Sequence, residues 1–210
     1  MLHKDPNLIS PETLLLIQQL QSQPELKEFY LVGGTALTLQ LGHRNSIDID
    51  LFTHQDFDTM LLIKNLEKKF KISVDHEFKN TVMCFVNDIK VDFIRHHYPF
   101  INALITEEGI TFLSLQDISA MKLNAINQSG KRLKDFIDIY FLLQHFSLES
   151  MIDFFKIKYP NSNPLIALRA VNDFDDIDPA IDPPKLLKPI SLEQIKKRIR
   201  EATLHPHKIF

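Results

Sequence analysis

Between Phe29 and Phe52 the chain writes a short series of elements whose order restricts the fold more than any other stretch. Phe29-Tyr30-Leu31-Val32 has the composition of a short buried strand. It runs into Gly33-Gly34, and Thr35 to Leu41 then reads as a helix closed by Gly42. Ser46 to Phe52 alternates, with Ile47, Ile49 and Leu51 on one face and Asp48 and Asp50 on the other, which is the period of a half-buried strand. Glycine is scarce elsewhere: the chain has 5 in 210 residues, where ordinary usage of about 7% would give about 15. An adjacent pair in such a chain marks a place where the backbone turns tightly or another group approaches closely.

The rest of the chain sorts into two parts. Ser10-Pro11-Glu12 opens a helix with a capping hydroxyl and proline at its first position. Phe57 to Phe70 reads as helix, and Ile72 to Phe78, Thr81 to Val86 and Ile89 to Ile94 read as strands, the last two joined as a hairpin at Asn87-Asp88. After about Gly109 the pattern turns helical. Ser114 with Asp117 resembles a capping box opening a helix through Ile126, and further helices are expected over Lys131 to Phe146, Leu148 to Lys158 and Asn163 to Val171. Asp173 to Pro189, rich in aspartate and proline, reads as an irregular, solvated connector before a last helix capped by Ser191 and running to about Thr203. The expected division is an α/β domain over 1–112, including the N-terminal helix, and a helical domain over 113–210.

Composition excludes several classes. The formal charge of −3 supplies no global field for nucleic acid, so an RNA partner would need a local basic patch. A single cysteine, Cys84, removes any disulfide framework or cysteine zinc site and fits a reducing compartment. No apolar run approaches a membrane span and the first residues carry no secretory stretch, so a soluble cytoplasmic protein with no membrane partner is the expectation. His96-His97 and His205-x-His207 lack a cluster of companions and read as surface histidines. Sixteen phenylalanines without tryptophan read as packing rather than base stacking.

Asp48 and Asp50, two residues apart on a strand, project two carboxylates from one face about 7 Å apart. Carboxylates that close repel unless a cation sits between them, and oxygen-only ligands favour Mg²⁺ or Mn²⁺. A lone Asp-x-Asp is usually an ordinary strand edge. Asp92 changes the balance: it lies in Ile89-Lys90-Val91-Asp92-Phe93-Ile94, an aspartate among apolar strand residues, where the bland reading is a salt bridge to Lys90 or Arg95. Three carboxylates on one sheet face can hold a two-metal site for in-line displacement at phosphorus. A strand ending in Gly33-Gly34-Thr35 and opening a helix offers free N–H groups and a hydroxyl, an anion site that is neither a Walker loop nor a dinucleotide fingerprint. Lys122 lies one turn from both Ile118 and Ile126, bordering an apolar stripe. Lys131, Arg132 and Lys134 crowd an expected helix start against the macrodipole, which phosphate binding would explain. Asp135 and Asp138 share one helix face, with Lys131 and Lys134 as their local pairing partners.

Together, Leu31-Val32-Gly33-Gly34-Thr35-Ala36-Leu37 and His43-Arg44-Asn45-Ser46-Ile47-Asp48-Ile49-Asp50-Leu51-Phe52 resemble the nucleotidyltransferase signature of the AbiEii/AbiGii toxin family, within the DNA polymerase β-like superfamily. Lys122-Leu123-Asn124-Ala125 and Lys131-Arg132-Leu133-Lys134-Asp135-Phe136-Ile137-Asp138 resemble its later motifs, and Asp92 falls where its third carboxylate is expected. The resemblance implies an α+β protein with a minimal nucleotidyltransferase fold, a mixed sheet flanked by helices, followed by a C-terminal helical bundle. It implies that Asp48, Asp50 and Asp92 hold Mg²⁺ or Mn²⁺, with Asp92 the proton acceptor, and that Gly33, Gly34, Thr35 and Lys122 cradle the phosphates of a nucleoside triphosphate (NTP). Ser46, Arg132 and Asp138 join the nucleotide-binding set, and Asp135 serves the active site. Arg44 is read as a brace for the turn. A toxin of a toxin–antitoxin or abortive-infection system is implied, with a cognate antitoxin and a tRNA acceptor left open. The rival readings are a small-molecule nucleotidyltransferase of the aminoglycoside type and a non-catalytic nucleotide-binding module of the same fold.

Overall fold

The computed structural model describes residues 1–181 and 183–210 and divides into two compact units. The first comprises Met1–Tyr98 with Leu104–Leu113, the second Pro99–Ala103 with Ser114–Phe210.

The first unit holds a seven-stranded mixed sheet: β1 (Tyr30–Val32), β2 (Ile49–Thr53), β3 (Ile72–Phe78), β4 (Thr81–Val86), β5 (Ile89–Arg95), β6 (Ile105–Glu107) and β7 (Ile110–Phe112), in the spatial order β3-β4-β5-β2-β1-β7-β6. β2 pairs in parallel with β5 and β1 with β7; the other neighbours are antiparallel. Helices α1 (Pro11–Gln21), α2 (Gly33–Leu41) and α3 (Thr59–Leu66) belong to this unit. Its core is Leu16, Ile17, Leu20, Leu31, Leu51 and Phe93, all nearly inaccessible. Asn87 and Asp88 both take positive φ, 49° and 67°, the backbone of the tight turn whose twist matches its strands.

Several expectations change here. The strand expected from Ser46 begins at Ile49, and Ile47, expected beside Ile49 and Leu51, is 58% exposed because it precedes the paired segment. The helix expected over Phe57 to Phe70 is α3 alone, capped by Asp58. The hairpin β6–β7 replaces a simple passage into helices after Gly109; Glu108 and Gly109 form its turn with φ of 53° and 79°. Three-residue strands are too short to show a period.

The second unit is helical among its described residues: α4 (Leu115–Ser129), α5 (Leu133–Leu142), α6 (Leu148–Lys158), α7 (Pro164–Val171) and α8 (Leu192–Leu204). α4 packs on α5, α6 and α7. Ser114, Ser147, Asn163 and Ser191 each cap a helix through the side chain. At its centre Lys158 and Asp117 form an ion pair at 2.8 Å, both side chains inaccessible. Asp117 also accepts from Ser114 Oγ at 2.6 Å and from the backbone of Ile101 at 3.0 Å, while Lys158 donates to the carbonyl of Pro99 at 3.0 Å. These bonds tie Pro99–Ala103 into this unit. Burial pulls the Lys158 ammonium below its ordinary range against the opposing pull of Asp117. Asp173 to Pro189 forms no helix or strand among its described residues, and Asp182 lies outside them.

Candidate active site

The first unit aligns one row of residues across five strands. The register pairs Val32 with Asp50, Asp50 with Asp92, Asp92 with Met83 and Met83 with His76. Opposed residues on adjacent strands project from the same face. Asp50 and Asp92 are therefore neighbours although 42 positions separate them in sequence. Asp48 is half-buried just before β2, and its charge reaches Asp92.

Asp92 is 9% exposed, and its Oδ1 is buried without a hydrogen-bond partner. Burial, reinforced by the charges of Asp48 and Asp75 and opposed by Lys90, raises its pKa above the ordinary aspartate value. The bridge to Lys90 is long, 3.8 Å to Oδ2, and Arg95 is turned away to Asp56 and the carbonyl of His54. A buried carboxylate oxygen left unpaired costs free energy that an added cation would recover. The donor set of Asp48, Asp50 and Asp92, oxygen only, suits Mg²⁺ or Mn²⁺. Among the described residues no three His, Cys, Asp or Glu side chains close into a ready-made metal cage.

The glycine pair is explained by the protein's own side chains. A Cβ on Gly33, whose φ is +68°, would lie 2.2 Å from Asp50 Oδ2, and one on Gly34 would lie 2.5 Å from an Arg44 guanidinium nitrogen and 3.1 Å from Ser46 Oγ. Gly33 thus lets α2 begin directly against the Asp50 carboxylate, and the N–H groups of that first turn have no partner inside the helix. Thr35 and Ser46 are buried. The Thr35 hydroxyl donates to the carbonyl of Asp48 and lies 2.9 Å from Ser46 Oγ, so both hydroxyls face inward and fix the entry to β2. Arg44, 2% exposed, donates to the carbonyl of Asn45 at 2.8 Å, and its own carbonyl accepts from Thr38 at 3.0 Å. Both bonds involve the turn that leads from α2 to β2.

The second unit gathers the other candidates. Lys122 meets Asp135 Oδ1 at 2.8 Å and Asp138 Oδ2 at 2.7 Å, and Arg132 meets Asp135 Oδ2 at 2.8 Å. Beyond Lys131 and Lys134, the local partners expected for these aspartates, packing brings in Lys122 from the neighbouring helix. The helix start also moves: α5 begins at Leu133 with Arg132 as its N-cap, so Lys131 lies outside it and the crowding of cations in a first turn largely disappears.

Sequence reasoning missed the far end of the row. Asp75 falls at a register shift in β3, and His76, Phe78 and Phe85 stand exposed beyond Asp92, Phe78 at 62% and Phe85 at 42%. The phenylalanines were expected to pack. The available signal was in Thr81 to Val86, where Val82, Cys84 and Val86 already fill the inner face and leave Phe85 outward.

The mixed sheet and the helix that opens on a glycine pair define the class: the chain has a nucleotidyltransferase fold. JHP933 from Helicobacter pylori superposes with a TM-score of 0.55 at 18% identity over 95% of this chain and 93% of that one. A second H. pylori crystal structure, provisionally assigned as a nucleotidyltransferase, gives 0.55 at 17% over 94% and 96%. At these identities the likeness is one of fold. An uncharacterized protein of Aquifex aeolicus (strain VF5), aq_aa25, is 32% identical over 155 residues, which is 71% of this chain and 75% of its own length. The family model described as nucleotidyl transferase AbiEii toxin, type IV toxin–antitoxin system, matches residues 15–206, and the chain belongs to that family. It is a nucleotidyltransferase. No helix among the described residues is long and apolar enough to cross a membrane.

Proposed function

We propose that the chain transfers a nucleoside monophosphate from an NTP to an acceptor hydroxyl at the carboxylate face of its first unit. The observation that carries this reading is the register of Asp50 against Asp92, with the orphaned Asp92 Oδ1 and the α2 N-terminus on the same row. Asp48, Asp50 and Asp92 would hold Mg²⁺ or Mn²⁺, whose charge offsets that of the triphosphate and of the transferring phosphoryl group.

The remaining steps fall to the chain's own groups. The N–H groups of Gly33 and Gly34 bind phosphate oxygens at the positive end of α2. Thr35 and Ser46 hold the Asp48 backbone in place, so their contribution to nucleotide binding is through Asp48. The acceptor oxygen attacks the α-phosphorus in line, the bond to pyrophosphate breaks, and Asp92 Oδ1 takes the acceptor's proton. Lys122, Asp135, Asp138 and Arg132 form a cluster with two positive and two negative charges, in which the half-exposed Arg132 side chain is the cation offered to a phosphate. Asp135 and Asp138 act by holding Lys122 and Arg132.

The family points to a toxin role and so to a cognate antitoxin, with tRNA as the first acceptor to try. The test is incubation with each labelled NTP and bulk tRNA under Mg²⁺ or Mn²⁺. Label is expected on RNA; absence of transfer to RNA, protein or small molecules would overturn the reading.

A further inference from the structure

The row that carries Asp50 and Asp92 continues over β4 and β3 as an open surface. Met83 is opposite Asp92 and His76 opposite Met83. Phe85, two residues from Met83 on β4, pairs with Lys90 on β5; Phe78, two residues from His76 on β3, pairs with Thr81. All therefore project from the face that carries Asp92. The rings of His76 and Phe78 lie 6.3 Å apart. Met83 is half-buried, while Phe78 and Phe85 are 62% and 42% exposed, an arrangement that costs hydration free energy unless something covers it.

Position along the row decides what that something is. In an in-line displacement the attacking and leaving oxygens lie on opposite sides of phosphorus. The leaving pyrophosphate belongs at the α2 N-terminus, beside β1. The acceptor then enters from the opposite side of Asp92, which is the β4–β3 side. A surface there with two phenylalanines, a histidine, a methionine and the Lys90 ammonium beside the carboxylate has the chemistry of a stacking platform for bases with a cation for the backbone.

We infer that the β3–β4 face is the acceptor site and that it takes the unstacked terminal nucleotides of single-stranded nucleic acid, with bases resting on Phe78 and Phe85. This rests on the nucleotidyl-transfer reading above and adds the acceptor's class and its place.

The test uses the full chain, wild type and the double variant Phe78→Ala/Phe85→Ala, with mixed-sequence single-stranded RNA and DNA oligonucleotides read by fluorescence anisotropy. Both rings are exposed, so their removal leaves the core intact. Loss of one stacking contact should weaken oligonucleotide binding by about 5- to 150-fold, and loss of both by more. NTP affinity should hold, and Phe78→Tyr/Phe85→Tyr should restore binding. Tighter RNA than DNA binding identifies RNA as the acceptor. Three results overturn the inference: a wild type that binds neither oligonucleotide, equal binding by the alanine variant, or a variant that instead loses self-association in sedimentation. A wild type that binds through these rings yet transfers nothing to the bound strand overturns the transfer reading and the acceptor role with it, a failure separable from the other three.

Discussion

The two units treat charge in opposite ways. In the first, Asp92 lies beside Asp50 in the register and within reach of the Asp48 charge, with one carboxylate oxygen buried and unpartnered. In the second, buried charges sit in matched pairs: Lys122 with Asp135 and Asp138, and Lys158 with Asp117. Two like charges about 7 Å apart at an effective dielectric of about 20 repel by about 2 kcal/mol. A fold keeps such repulsion where a ligand relieves it, whereas matched pairs in a helical core specify which helices meet.

Substitutions should separate these two uses. Asp92→Asn and Asp48→Asn are expected to lower nucleotide transfer by about 10²- to 10⁴-fold. Their stability against urea should hold or rise by up to about 1 kcal/mol, because a repulsive charge is removed. A clear loss of stability in either variant would place these carboxylates with the structural charges of the second unit. Asp117→Ala should do the reverse, costing about 3–5 kcal/mol in urea denaturation, because it leaves the Lys158 ammonium buried alone. A cost under about 1 kcal/mol would show that the pair is not what holds Pro99–Ala103 to α4 and α6.

Gly33→Ala tests how tightly the first unit is built around its own carboxylate. With φ at +68° and Asp50 Oδ2 in the way, the variant should lose about 1–3 kcal/mol and transfer activity together. Full stability with activity lost would instead point to a ligand as the only group that needs the space. The smallest effect is chemical. The Cys84 thiol, pushed up to about 12 chiefly by burial, should resist alkylation at neutral pH until the protein unfolds, which mass spectrometry follows. Rapid labelling of the native protein would mean that the inner face of β4 opens.

Most of the fold could be read from sequence because its periods are long enough to show. The strands from Ile72 to Arg95 and the helices from Leu148 to Val171 matched expectation nearly to the residue. The hairpin β6–β7 escaped because its strands span three residues each. The carboxylates were legible as a set sharing one sheet face, while their exact register and the partners of the later helical residues were not. Register alone puts Asp50 beside Asp92, and tertiary packing alone brings Lys122 from α4 to Asp135 and Asp138 on α5. The glycine pair shows the limit most clearly. It reads as a ligand's space, and in the fold the same space is filled by Asp50 and Arg44.

The direct measurement is thermal unfolding of wild type and Asp92→Asn with and without Mg²⁺ and a non-hydrolysable NTP. A ligand at about a hundred times its Kd stabilises the native state by about 2.7 kcal/mol. The account predicts a rise in Tm of several degrees for the wild type that Asp92→Asn abolishes; no rise, or one that survives the substitution, would contradict it.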